Sequence, residues 1–154
     1  MHCRHCAEPL SLNFVDLGFS PPSNKYLTEH QLSSPETHFP LRVSVCERCW
    51  LVQTLDYTDF RDLFDDQYAY FSSASSTWLD HIKKYTAEII RELALDEKSR
   101  VVEIASNDGY LLKNFVEKSI PCLGIEPTAS TAAVARKNGI TVIQRFFTEQ
   151  LAHE

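Results

Sequence analysis

Two kinds of hydrophobic rhythm divide this 154-residue chain. Up to about residue 58, apolar residues come in short extended pieces separated by turn formers. LRVSV at 41–45 alternates apolar and polar positions, WLVQTL at 50–55 is strand-like, and SPPSN (20–24) and SSPET (33–37) are loops by composition. DFRDLF (59–64) suits a short helical turn, and YAYFSSASS (68–76) is an aromatic and hydroxyl run. Helical spacing then takes over at 77–95, where Leu79, Ile82, Ile89 and Leu93, with Tyr85 and Thr86 between them, form a stripe. Ser75 or Ser76 supplies the N-cap.

From Arg100 the period switches back and forth. RVVEIA (100–105), PCLGIE (121–126) and ITVIQRF (140–146) read as strands. GYLLKNFVEKS (109–119) and TASTAAVARKN (128–138) read as helices, and TEQLAHE (148–154) opens another. Gly139 after Lys137 and Asn138 fits a helix stop. A β-α-β-α-β order with right-handed crossovers gives a parallel sheet of strand order 3-2-1. The expected organisation is an α/β chain: a small β-rich domain at 1–58, a connecting segment and helix at 59–97, and a partial Rossmann-like sheet at 98–154.

Composition adds mainly exclusions. The chain is 44% apolar and 23% charged, without low-complexity tracts. No apolar run approaches the roughly 18 residues of a membrane helix. The opening MHCRHCAEP lacks the apolar core of a signal peptide, so a cytoplasmic protein with no membrane partner is expected. A net charge of -6 gives no global reason to seek nucleic acid or an anionic surface.

Four of the five cysteines form two C-x-x-C pairs, Cys3/Cys6 and Cys46/Cys49, the second in the turn between the two strand-like stretches. Without a secretory signal, that spacing points to metal more than to disulfides. Zn²⁺ takes four thiolates in a tetrahedron, which leaves no open position for water, so the ion is structural. It would tie the N-terminus to the 41–55 hairpin. His2 and His5 flank the first pair as solvated neighbours, and Cys122 lies in a strand pattern that favours packing over reactivity.

The remaining chemistry sits where VVEIASNDGYLL (101–112) passes from strand to helix. In a β-α-β unit a cofactor lies across the carboxyl ends of the strands. Here the turn is Ser106, Asn107, Asp108 and Gly109, and the second strand ends at Glu126, an acid placed to bind ribose hydroxyls. One glycine and an acidic turn suit S-adenosylmethionine, which has a ribose, a positive sulfonium and no phosphate. A pyrophosphate would meet Asp108 and too few glycines. A nicotinamide cofactor, or a plain parallel-sheet domain with Asp108 as a cap and Glu126 on the surface, remain alternatives on these residues.

In order, CRHC, CERC, YAYFSSASSTWLDH, VVEIASNDGYLL and GIEP resemble the sugar C-methyltransferases that act on nucleotide-linked deoxysugars. The resemblance covers nearly all of this chain but only the first part of that family's length. It implies a structural zinc on Cys3, Cys6, Cys46 and Cys49, followed by a class I methyltransferase domain. It also implies S-adenosylmethionine contacts from Glu103, Ser106, Asn107, Asp108, Gly109 and Glu126. Tyr68, Tyr70, Ser72 and Ser73 fall in a segment bordering cofactor and substrate, with the two tyrosines as catalytic candidates or, alternatively, as core or lid packing. Phe146 and Phe147, after the third strand, are placed either to flank the adenine or to pack in the core.

The implied reaction is carbon methylation beside a 4-keto group of the sugar. A base removes the acidic proton and the resulting enolate attacks the sulfonium methyl. The family's main acid and base residues lie beyond the part matched, and His81 and His153 do not take their place. Ending after a third strand, the sheet is expected to expose the apolar edge at 101–105, a pairing hazard unless the 77–95 helix, loops or another copy cover it. Weak cofactor binding without methyl transfer is the expectation for this chain alone. The competing class is a zinc-dependent protein or nucleic-acid binding module with a degenerate nucleotide fold.

Overall fold

A computed structural model describes residues 1–59, 63–64 and 68–154. Half of the helical turn expected at 59–64, residues 60–62, lies outside the described residues. Two compact units are present, Met1–Leu63 and Phe64–Glu154.

The first unit is an antiparallel sheet in the order β1 (Leu12–Ser20), β2 (Phe39–Val45), β3 (Val52–Thr54). The last two are the strands legible from 41–45 and 50–55. β1 is additional: its sequence, LNFVDLGFS, mixes polar residues and a glycine into the apolar positions, and its register against β2 shifts twice. Phe14, Leu17 and Phe19 are largely exposed, so the usual inside-outside alternation is missing. A 3-10 turn, Glu29–Ser33, begins at a Thr28/Gln31 capping box. The apolar core of this unit is small, with Cys3 and Cys46 its fully buried apolar residues among those described.

The second unit opens with a 3-10 turn, Ser72–Ala74, and helix α1 (Ser76–Glu92). The Ser75 hydroxyl accepts the Trp78 N–H at 3.3 Å, the expected cap. Ile82 and Thr86 are buried, whereas Tyr85 and Leu93 face outward. The stripe is therefore narrower than its apolar letters suggest, with Ile89 and Ile90 completing it.

Strands β4 (Val101–Ile104), β5 (Cys122–Ile125) and β6 (Thr141–Ile143) pair in parallel in that order. Between and after them come α2 (Leu112–Val116), α3 (Ala129–Lys137) and α4 (Glu149–His153). This is the 3-2-1 arrangement anticipated from the period switches.

The core of this unit gathers Leu112, Phe115, Ile120, Ala135 and Ile140, with Ile89, Ile90, Val101, Cys122 and Val142 against it. One position out of phase, Val102 and Ile104 are more than half exposed, so β4 presents an apolar edge among the described residues. No helix among them is long and apolar enough to cross a membrane.

Candidate metal centre and cofactor site

The four cysteine sulfurs of the first unit converge, all within 4.8 Å of one another. Cys3 Sγ lies 3.5 Å from Cys49 Sγ, and Cys6 Sγ lies 3.5 Å from Cys46 Sγ. These separations exceed an S–S bond of about 2.05 Å. They approach the edge of about 3.8 Å expected for four sulfurs around one tetrahedral Zn²⁺. His2 and His5 stay outside the cluster.

Both C-x-x-C turns have the same backbone. Ala7 N–H donates to Cys3 C=O at 3.0 Å, and Trp50 N–H donates to Cys46 C=O at 2.8 Å. Cys3 N–H donates to Glu8 C=O at 2.8 Å, and Cys46 N–H to Leu51 C=O at 3.0 Å. Each turn ends in a left-handed residue, Ala7 at φ 58° and Trp50 at φ 62°. Gln53 Nε2 donates to Cys3 Sγ at 3.3 Å, while its Oε1 accepts the Arg4 N–H. The Cys6 backbone amide, followed by Gln53 and the His5 amide, holds the Cys3 thiol down at about 6 against burial. A sulfur so surrounded by donors is prepared to be a thiolate ligand.

In the second unit a cavity of about 440 Å³ opens at the carboxyl ends of β4 and β5. Ile104, Ala105 and Asn107 come from the first strand and its turn, Ile125 and Glu126 from the second. Tyr68, Tyr70 and Ser72 line it, as do Phe146 and Phe147 beyond β6. Glu126 is only 5% exposed. Its Oε2 accepts the Asn107 N–H and its Oε1 the Thr128 N–H, each at 2.9 Å. Each oxygen keeps a further lone pair for a hydroxyl.

The other residues expected at the cofactor are not in the cavity lining. Ser106 and Asp108 are buried behind the turn, and Ser73 donates its N–H to Asp108 Oδ2 at 3.3 Å. Asp108 Oδ1, Ser106 Oγ and Glu103 Oε2 are buried without a hydrogen-bond partner among the described residues. Burial first, then the nearby Asp108 and Glu126 charges, raise the Glu103 carboxyl to about 8, so it is mostly neutral at pH 7. Glu103 therefore adds little negative charge at the strand tips.

Gly109 also serves another purpose than close approach to a ligand. A Cβ there would stand 2.1 Å from Ile140 Cδ1 and 3.2 Å from Ala135 Cβ, and its φ is +77°. The glycine lets the turn pack against α3 and the start of β6. Sequence spacing could not separate these two uses, since either demands a glycine.

Residues 3–64 match a family model described as "Putative zinc binding domain". Over 152 residues, 99% of this chain, the sequence is 31% identical to C-methyltransferase NovU of Streptomyces niveus. The chain is thus similar, over nearly all of its own length, to part of a C-methyltransferase. It spans 36% of the length of that relative. A crystal structure of a SAM-dependent methyltransferase from Archaeoglobus fulgidus is 17% identical, covering 42% of this chain and 29% of its own, with a TM-score of 0.32, too low to bear on the fold.

The four-cysteine cluster lies within the residues that match the zinc-binding model, as its spacing implied. The structure brings Tyr68, Tyr70, Ser72, Asn107, Glu126 and Phe147 to one cavity. His81 and His153 are exposed, and His81 stacks on Trp78 with ring centroids 5.3 Å apart. The contribution of Ile104, Ala105 and Pro127 to the lining went unread in the sequence, because apolar strand ends look the same whether they meet a helix or a ligand.

Proposed function

We propose that the second unit binds S-adenosylmethionine in the cavity at the strand tips, as part of a methyltransferase acting on carbon in a nucleotide-linked keto-deoxysugar. The observation that carries this is the cavity lining: aromatic and aliphatic side chains with one carboxylate, Glu126, at the end of the second strand. Apolar walls suit an adenine, and a carboxylate suits a vicinal diol. A pyrophosphate finds no close approach at Gly109, where Ile140 and Ala135 take up the space; Asp108 is buried behind the turn and does not itself oppose a phosphate there.

When bound, S-adenosylmethionine supplies an electrophilic methyl group. Glu126 would hold the ribose, Phe146 and Phe147 the base, and Tyr68 and Tyr70 the side facing the substrate. Relatedness to a C-methyltransferase supports carbon as the acceptor. The sugar substrate and a cytoplasmic location follow from the motif resemblance and belong to the same proposal. Zinc on Cys3, Cys6, Cys46 and Cys49 maintains the first unit and takes no part in the chemistry, because four thiolates close its coordination.

Among the described residues of the cavity wall, the ionisable groups are Tyr68, Tyr70 and Glu126, whose oxygens already accept two backbone amides. This supports binding without turnover by this chain alone. Calorimetric titration of the zinc-loaded protein with S-adenosylhomocysteine, NAD and a DNA duplex tests the proposal. Heat with the first alone, abolished by Glu126→Ala, is expected. Heat with NAD or DNA alone contradicts it, and methyl transfer to a nucleotide-linked keto-sugar by this chain contradicts the inactivity.

A further inference from the structure

Asn107 is where the strand-tip turn meets the 68–74 segment. Its carboxamide works in both directions: Oδ1 accepts the Ser72 N–H at 2.9 Å, and Nδ2 donates to the Tyr70 C=O at 3.1 Å. The neighbouring Asp108 adds the Ser73 N–H on Oδ2 at 3.3 Å. The Asn107 N–H meanwhile donates to Glu126 Oε2. One residue thus joins the aromatic segment, the turn and the acid at the end of β5.

The backbone at Asn107 is left-handed, φ 51°, a region that asparagine tolerates better than most residues. A carboxamide carries an acceptor and a donor in one plane. A carboxylate in its place would set an oxygen against the Tyr70 carbonyl, and an apolar side chain would leave the Ser72 N–H and Tyr70 C=O without these partners. Tyr70 and Ser72, the two residues held, both line the cavity.

We propose that Asn107 is the positioning residue that fixes the 68–74 segment as a wall of the cavity, so that cofactor affinity depends on a carboxamide at this position. The affinity clause rests on the reading of the cavity as an S-adenosylmethionine site. The positioning clause does not.

Two variants separate the side chain from the backbone. N107G keeps the left-handed φ and the N–H to Glu126 while deleting the bracket, and N107D keeps the acceptor for Ser72 and loses the donor to Tyr70. Amide hydrogen exchange and S-adenosylhomocysteine calorimetry are run on the zinc-loaded full chain. In N107G, exchange at Ser72 and in the segment around it is expected to quicken about tenfold, and S-adenosylhomocysteine to bind about tenfold more weakly. Exchange in β4–β6 and the melting temperature should stay as in the wild type, which a merely structural residue would not allow. N107D is expected between the two. Unchanged protection at Ser72 in N107G overturns the positioning role, and unchanged affinity with the segment released overturns the link to the cofactor. If the wild type does not bind S-adenosylhomocysteine, the cavity reading and the affinity clause fail together, while the exchange result still decides whether Asn107 fixes the segment.

Discussion

Ala7 and Trp50 occupy the same place in two copies of one turn, each left-handed and each donating its N–H to the carbonyl of the first cysteine of its pair. The local twofold likeness presents four sulfurs from two similar scaffolds. A β-carbon in the left-handed region costs roughly 1–2 kcal/mol, partly offset in a glycine by its greater freedom when unfolded. Ala7→Gly and Trp50→Gly should therefore each stabilise the zinc-loaded unit by about 1 kcal/mol in chemical denaturation. Trp50→Val, which stiffens the same position, should destabilise it.

With so few buried apolar side chains, the first unit depends on its metal. Chelation of zinc, or Cys46→Ala, should abolish amide protection in β1–β3 while leaving that of β4–β6 intact. Protection in β1–β3 that survives complete metal removal would contradict a structural zinc.

Gly109→Ala should destabilise the second unit by about 2–4 kcal/mol in urea denaturation. The added methyl meets Ile140 and Ala135 in the interior, and the backbone there is left-handed. Shortening Ile140 to valine in the same chain should recover part of that loss.

The Glu103 carboxyl titrates near 8 in the folded chain against an ordinary 4.5, because it is buried beside Asp108 and Glu126. Between those values the folded state keeps a proton that the unfolded state has released. Its contribution is thus fully present below pH 4.5 and is lost as pH rises through 8. Glu103→Gln should remove that slope and leave the protein on the order of 2–3 kcal/mol more stable than the wild type at pH 9, with partial exposure allowed for. Denaturation midpoints from pH 4 to 9 measure it.

Much of this was legible in the residues. Cysteine spacing marked the metal cluster, and alternation between strand and helix periods at 100–154 gave the order of the parallel sheet. β1 was not legible, since its exposed Phe14, Leu17 and Phe19 break the alternation that identifies a half-buried strand. The end of α1 was placed three residues too late, because apolar letters continue through Leu93 and Leu95 after the helix has ended at Glu92. Around the turn, identity was readable but direction was not. Asn107 and Glu126 line the cavity while Ser106, Asp108 and Gly109 face the interior, a division set by backbone dihedrals at Ala105, Asn107 and Gly109 that all lie at positive φ.

The most direct measurement is a crystal structure of the zinc-loaded chain grown with S-adenosylhomocysteine. The adenosine is expected between Glu126 and the Phe146–Phe147 pair, with its ribose hydroxyls on the Glu126 carboxylate. A ligand bound elsewhere, or an NAD diphosphate seated against Gly109 in a parallel experiment, would contradict the account.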